Sequence, residues 1–349
     1  MTEQITKTEI YHGGALDVAM DKYGGAKTEW LDLSTGINPH SYPFDMPSPE
    51  AWTQLPQKSA LDELLLAASV AYDCAPEFML AANGTQALIE LLPQIIARST
   101  NVPSTIAIMS PTYEEHAKCW RQYGHKVVLV TSLDEAKQAD NLLIVNPNNP
   151  TGKLYSIDEL QHLQTYFAAK NGNLIIDEAF IDVQPEHSLS RFAGQDGLII
   201  LRSFGKFFGL AGLRVGFVLA DKVTLNKMAK KLGLWSVSGM ALQVATQALT
   251  DLAWQHKMRQ TLAAEMKILH DILRHNGFEI IGSTNLFCLA KIPNSAYRAI
   301  DYFENLAKQH ILVRKFTNND RILRFGLPAK RDIANFVRSI QQTAAELKL

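Results

Sequence analysis

The chain has 349 residues, 47% apolar and 20% charged, with a formal net charge of −1. That length exceeds the usual single core, so a large domain and a smaller one are expected, each burying a core of its own. The near-neutral balance excludes a disordered tail, a nucleic-acid footprint and a polybasic membrane anchor, and leaves a small molecule as the expected partner.

The longest apolar runs, such as Leu198–Leu201 and Leu174–Ile176, are strand-sized and fall short of the roughly 20 residues that cross a bilayer. The opening MTEQITKTEI has no apolar signal core, so a cytoplasmic protein without membrane or nucleic-acid partners is expected. Cys74, Cys119 and Cys288 are widely spaced and form no C-x-x-C, which predicts buried thiols, no disulfide framework and no metal site.

Taken in chain order, residues 1–50 are rich in Gly, Pro, Asn and Ser and read as an extended arm with turns that packs with the smaller domain. Residues 51–234 form the expected large domain. Within it, β-rich runs at Phe78–Ala82, Thr105–Met109, Lys126–Val130, Leu142–Asn146, Leu174–Asp177, Leu198–Arg202 and Val215–Leu219 alternate with helical stretches such as Thr85–Ala97, Tyr113–Tyr123 and Ile157–Ala169. This alternation predicts a mainly parallel sheet covered on both faces, with ligands beyond the carboxyl ends of its strands. Residues 235–349 change texture. A long helical segment from Leu242 to about His275 leads into short strands near Phe278–Ile281, Leu286–Lys291 and Ile322–Phe325, then a helix at Arg331–Leu347, which reads as a smaller α+β domain.

Polar clusters fall at the predicted strand ends. Lys206 stands between two glycines in Ser203-Phe204-Gly205-Lys206-Phe207-Phe208-Gly209, a few residues beyond a buried strand. Flanking glycines let backbone approach a bulky ring, and a partly desolvated amine suits a Schiff-base nucleophile; the alternative is a loop lysine reaching solvent. Asp177 ends the run Leu174-Ile175-Ile176 and is placed to hold a pyridinium nitrogen protonated, or merely to cap the following turn. Asn146-Pro147-Asn148-Asn149-Pro150-Thr151-Gly152 packs turn formers after another strand and is the obvious place for a cis X-Pro bond; Asn149 is a candidate donor to a phenolic oxygen. Gly84-Thr85-Gln86 opens a helix after a strand, and with the Ser203 hydroxyl and the Arg214 guanidinium it forms a candidate phosphate cradle. No G-x-x-x-x-G-K-[ST] or G-x-G-x-x-G supports nucleotide binding instead.

The ordered set Asn149, Asp177, Lys206 and Arg214, with S-F-G-K-x-x-G-L-A-G-L-R-x-G at 203–216, resembles the fold-type I pyridoxal-phosphate enzymes of aminotransferase class I/II over nearly the whole chain. The resemblance implies a large domain with a mostly parallel seven-stranded sheet in an α/β/α sandwich, a smaller α+β domain, pyridoxal 5'-phosphate as cofactor and a homodimer. By position, Lys206 looks like the Schiff-base lysine, Asp177 the partner of the ring nitrogen, Asn149 the donor to the phenolate, and Tyr113 the stacking aromatic. Gly84, Thr85, Gln86, Ser203 and Arg214 look like phosphate ligands, and Arg324 matches the arginine that holds the substrate α-carboxylate.

Within that superfamily, His12-Gly13-Gly14, the stretch Asp32-Leu33-Ser34-Thr35-Gly36-Ile37-Asn38-Pro39 and Arg324-Phe325-Gly326-Leu327-Pro328 resemble the threonine-phosphate decarboxylases of cobalamin biosynthesis more than the related histidinol-phosphate aminotransferases. This implies decarboxylation of an amino-acid phosphate ester, with His12, Ser34 and Asn38 lining the substrate end; the alternative is transamination of histidinol phosphate or a similar substrate. Two departures stand out: Phe180 replaces a tyrosine common in the class, and Leu55-Pro56 replaces a Tyr-Pro of the histidinol-phosphate enzymes.

Overall fold

The computed structural model describes residues 13–96 and 103–347. The described residues divide into two compact units, the larger made of those within 37–266 and 282–286, the smaller of those within 13–36, 267–281 and 287–347. These limits differ from the expected ones at 50 and 234. The reason is packing: helix Gly239–Thr250 lies on helix Lys58–Tyr72, and the segment after Ile37 bonds to residues 206–209, so both stretches belong with the larger unit.

In the larger unit seven strands form one sheet: β1 Met79–Ala82, β2 Thr105–Met109, β3 Lys126–Val130, β4 Asn141–Val145, β5 Leu174–Asp177, β6 Leu198–Ser203 and β7 Gly216–Leu219. Their order across the sheet is β1-β7-β6-β5-β4-β2-β3. Strands β3, β2, β4, β5 and β6 pair in parallel. Only β7 runs against its neighbours, and because it is antiparallel to both β6 and β1, the latter two share one direction. The unbroken apolar runs of β4, β5 and β6 are buried throughout, as strands covered on both faces must be.

Helices preceding, joining and following these strands include α1 Lys58–Tyr72, α2 Thr85–Ile95, α3 Glu114–Gln122, α4 Ile157–Ala168, α5 Phe204–Phe207, α6 Lys222–Leu232, α7 Gly239–Thr250 and α8 Leu252–His275. One face of the sheet packs against α2, α3 and α6 through Leu88, Leu92, Trp120 and Met228. On another part of the sheet Tyr72 of α1 stands edge-on to Phe217 of β7. The expected single helical segment from Leu242 to His275 is two helices that part at Asp251, whose carboxylate accepts from the Trp254 amide and starts the second.

A buried charge network lies beneath β6. Arg202, 1% exposed, pairs with Asp182 and Glu178, donates to Ser190 at 2.8 Å, and lies 4.0 Å over the Tyr72 ring. Glu178 takes its remaining bonds from Ser188 and the Leu189 amide, and its burial pushes its pKa up.

The smaller unit holds a four-stranded sheet in the order Arg314–Lys315, Ile322–Gly326, Phe287–Lys291, Glu279–Thr284, with helices Ala299–Lys308 and Ile333–Glu346. Leu31–Asp32 pairs in parallel with Ile311–Leu312, which ties the N-terminal arm to this unit. The arm is less extended than its composition predicts: Leu16–Tyr23 is helical, ended by Gly24 at φ +78. Among the described residues no helix is long and apolar enough to cross a membrane, no metal-binding cluster occurs, and all three cysteines are free and buried.

Removing one member of a buried ion network strands the others in low dielectric. Arg202→Ala is therefore expected to destabilise the protein by about 3–5 kcal/mol, read as a lowered urea midpoint by circular dichroism.

Candidate active site

The site is assembled by register. Ser203 at the end of β6 lies opposite Gly216 at the start of β7, and Gly216 lies opposite Ala82 at the end of β1. The antiparallel β7 therefore begins where its neighbours end, and Arg214, Gly84 and Ser203 come to one edge. Gly84 caps α2 with φ +80 and ψ 156, a conformation that belongs to glycine. A Cβ on Gly84 would stand 2.5 Å from the Arg214 guanidinium, and one on Gly216 would collide with the Thr85 amide. The missing side chains of these glycines thus let the exposed Arg214 guanidinium and the Thr85 amide at a helix N-terminus draw together at this edge, which is the donor set an anion requires. The Thr85 hydroxyl itself turns to the Arg202 carbonyl at 3.2 Å.

Asp177 ends β5 and is 3% exposed. One carboxylate oxygen accepts from the Ala179 amide at 3.0 Å and the other from His116 Nε2 at 2.9 Å. His116, on α3, is buried, and its Nδ1 meets no polar partner among the described residues. Tyr113 caps the same helix one turn earlier, its ring perpendicular to His116 at 5.9 Å and its hydroxyl 3.4 Å from Gln86 Oε1.

The loops after β2 and β4 are locked together by Asn148, which accepts from Thr112 Oγ1 at 2.7 Å and donates to the Pro111 carbonyl at 2.9 Å. Asn146–Pro147 and Asn149–Pro150 are both cis, as is Ser110–Pro111. Asn149 is half-buried in this loop.

Lys206 lies in the single turn of α5, half-buried, with its Nζ 5.8 Å from the centre of the buried Phe180 ring. Asn38, expected at the substrate end, has its side chain committed elsewhere: Nδ2 donates to the Phe207 carbonyl at 2.7 Å and Oδ1 accepts from the His40 amide at 2.8 Å.

In the smaller unit Ser34 is fully buried; its hydroxyl donates to Asp32 at 2.6 Å and accepts from the Gly14 amide at 2.7 Å. Arg324 donates to the Ser34 carbonyl at 2.7 Å and lies 5.0 Å from the Phe287 ring. Arg314 stands directly opposite Arg324 across two paired strands. Burial, and then the Arg314 charge, push Arg324 down to about 9. His12 lies outside the described residues.

Residues 57–340 match the aminotransferase class I and II family. The chain belongs to that family. A threonine-phosphate decarboxylase of Pseudomonas aeruginosa is 41% identical over 328 residues, covering 92% of this chain and 93% of the relative. A histidinol-phosphate aminotransferase of Mesorhizobium japonicum is 26% identical over 343 residues, covering 92% and 90%. The crystal structure of the histidinol-phosphate aminotransferase of Clostridium acetobutylicum superposes with a TM-score of 0.78 at 22% identity, over 90% of this chain and 99% of that one, and so shares the fold.

As a member of the aminotransferase class I and II family, the protein is an enzyme dependent on pyridoxal 5'-phosphate. The residues present fit that group: the Arg214 guanidinium and the Thr85 amide, brought together at Gly84 and Gly216, suit its phosphate, and a buried carboxylate backed by an imidazole suits its ring nitrogen. Two functional candidates were absent from the sequence expectations. His116 is marked only by its spacing of three residues from Tyr113 on one helix face, which carries weight once Asp177 is known to face that helix. Arg314 sits on a two-residue strand whose pairing no local pattern announces.

Gly84→Ala is expected to push the Arg214 guanidinium aside and to strain a positive-φ position. Weakening a phosphate contact of this kind raises the cofactor dissociation constant by roughly tenfold or more, measured by titrating pyridoxal phosphate into cofactor-free protein and following its visible absorbance.

Proposed function

We propose that the protein decarboxylates L-threonine O-3-phosphate to (R)-1-amino-2-propanol O-2-phosphate and CO2. One observation carries this reading: the 41% identity to a threonine-phosphate decarboxylase over 92% of the chain, against 26% to a histidinol-phosphate aminotransferase over a similar span. In this reading the enzyme serves cobalamin biosynthesis as a cytoplasmic homodimer.

The bond between the α-carbon and the carboxylate breaks, the electron pair stays on the α-carbon, and a proton replaces CO2 there. When bound, pyridoxal phosphate supplies the electron sink for that pair. Lys206 would hold the cofactor through its amine, and in its ammonium form it would donate the proton that replaces CO2 on the α-carbon. Asp177, oriented by His116 Nε2 and the Ala179 amide, keeps the ring nitrogen protonated. Asn149 donates to the phenolic oxygen, and Tyr113 covers the ring. Thr85, Gln86, Ser203 and Arg214 hold the cofactor phosphate. Arg324, with Arg314 beside it and its guanidinium on the Ser34 carbonyl, takes the anionic groups of the substrate. Phe180, 4% exposed, offers an apolar ring and no hydroxyl, so the phenolic oxygen has one side-chain donor fewer than in enzymes with tyrosine there.

Supplying L-threonine O-3-phosphate and measuring CO2 tests the reading, with histidinol phosphate and 2-oxoglutarate as the opposing arm. CO2 release without glutamate is expected; glutamate without CO2 would establish a transaminase instead. Arg324→Gln removes a buried cationic partner worth about 2–5 kcal/mol, so KM for the phosphorylated substrate is expected to rise by at least tenfold, measured in the same CO2 assay.

A further inference from the structure

Helix α5, which carries Lys206, is one turn long, so the carbonyls that follow it have no helix of their own to satisfy them. Four consecutive carbonyls instead find donors in a single distant segment. The Asn38 amide donates to Lys206 O at 2.9 Å, Asn38 Nδ2 to Phe207 O at 2.7 Å, the Tyr42 amide to Phe208 O at 2.9 Å, and Ser41 Oγ to Gly209 O at 2.9 Å. The approach is at backbone distance. Gly209 has φ +64, and a Cβ there would stand 2.8 Å from the Asn38 carbonyl oxygen and from Ser41 Cα.

The segment is itself held from the other side. His40 Nε2 meets Glu265 of α8 at 2.7 Å, the Tyr42 hydroxyl lies 3.3 Å from Asp251, and the Asp45 and Ser48 amides donate to Gln247 and Gln243 of α7 at 3.0 and 2.9 Å. Asn38 is 2% exposed, and each end of its amide is already bonded to backbone, Nδ2 to the Phe207 carbonyl and Oδ1 to the His40 amide. These two backbone bonds fix the orientation of a buried amide that shows almost no surface to a substrate.

We propose that residues 38–42 form a strap that caps the Lys206 turn from outside, and that Asn38 is a positioning residue for Lys206, not a ligand of the substrate. The proposal deepens the reading given above and rests on it for the assay substrate. A lysine that must reach both the cofactor carbonyl and the substrate α-carbon tolerates little displacement, and its backbone is fixed here by bonds that α5 is too short to make. Asn38 supplies two of those four bonds.

The test compares holoenzyme with Asn38→Ala and Asn38→Asp, and with Ser41→Ala, which removes one cap bond from an exposed side chain. Three quantities are read: the pH midpoint of the cofactor's visible band, kcat and KM for CO2 release, and Tm. A displaced Lys206 moves the band midpoint by about half a pH unit or more and lowers kcat by about 10- to 100-fold, with KM little changed. Ser41→Ala moves the midpoint in the same direction by less.

Asn38→Asp keeps the acceptor for the His40 amide but loses the donor to Phe207, so it is expected to behave like the alanine variant. A raised KM with midpoint and kcat intact would make Asn38 a substrate ligand and overturn the proposal. So would a lowered Tm with midpoint and kcat unmoved, which would make the strap a stability element alone. Should the Asn38 variants fail to fold, an unmoved midpoint in Ser41→Ala also overturns it. Absence of CO2 from the wild-type enzyme would sink the substrate reading, while the band midpoints would still decide the strap.

Discussion

The register of β7 is the constraint from which the cofactor site follows. Five strands of a parallel sheet would already end along one edge, but a parallel strand inserted between β1 and β6 would present its last residue there and send the chain away. Running antiparallel, β7 instead brings its first residue, Gly216, level with Ser203 and Ala82. The chain therefore passes along the site edge on its way in, carrying Lys206 and Arg214 past the N-terminus of α2. Because Gly216 has no Cβ, the Thr85 amide comes close to it. A single residue of slip would exchange the faces of β7 and break this alignment together with the core contact of Phe217.

The same alternation of faces sorts the charges. Asp177 and Glu178 are adjacent, yet one meets His116 and the other meets Arg202, because successive residues leaving a strand point to opposite sides. The buried Asp177 is thereby kept from the buried Arg202, which pairs with Glu178 and Asp182 instead. The Arg202 network absorbs the second carboxylate, and Ser188 and Ser190 fill its remaining valences. The Asp177–His116 pair and the Arg202 network thus lie side by side without sharing partners.

Much of this was legible in the sequence where a signal is local and repeated. Unbroken apolar runs mark buried parallel strands, and turn formers after them mark the edge at which ligands collect in such sheets; Asn149, Asp177, Lys206 and Arg214 are candidates of that kind. What escaped depends on pairing across long separations. The helix Leu16–Tyr23 hides in a Gly-rich arm because its own apolar stripe is short. Asn38 reads as one more polar residue of a substrate loop, and only the placement of residues 206–209 shows its amide to be occupied. His116 gains meaning from a carboxylate 61 residues away, and Arg314 from a strand that pairs over two residues.

The Arg314–Arg324 pair shows how the smaller unit is suited to anions before any substrate arrives. Like charges directly opposite on paired strands are unfavourable, and burial adds a desolvation cost, the two effects that lower Arg324 to about 9. Asp32 offsets part of this, but its Oδ1 also holds the Ser34 amide and hydroxyl. On the reading proposed above, an anion bound between the two guanidiniums would offset both costs, and a phosphate ester that also carries a carboxylate would offset more of them than a simple amino acid.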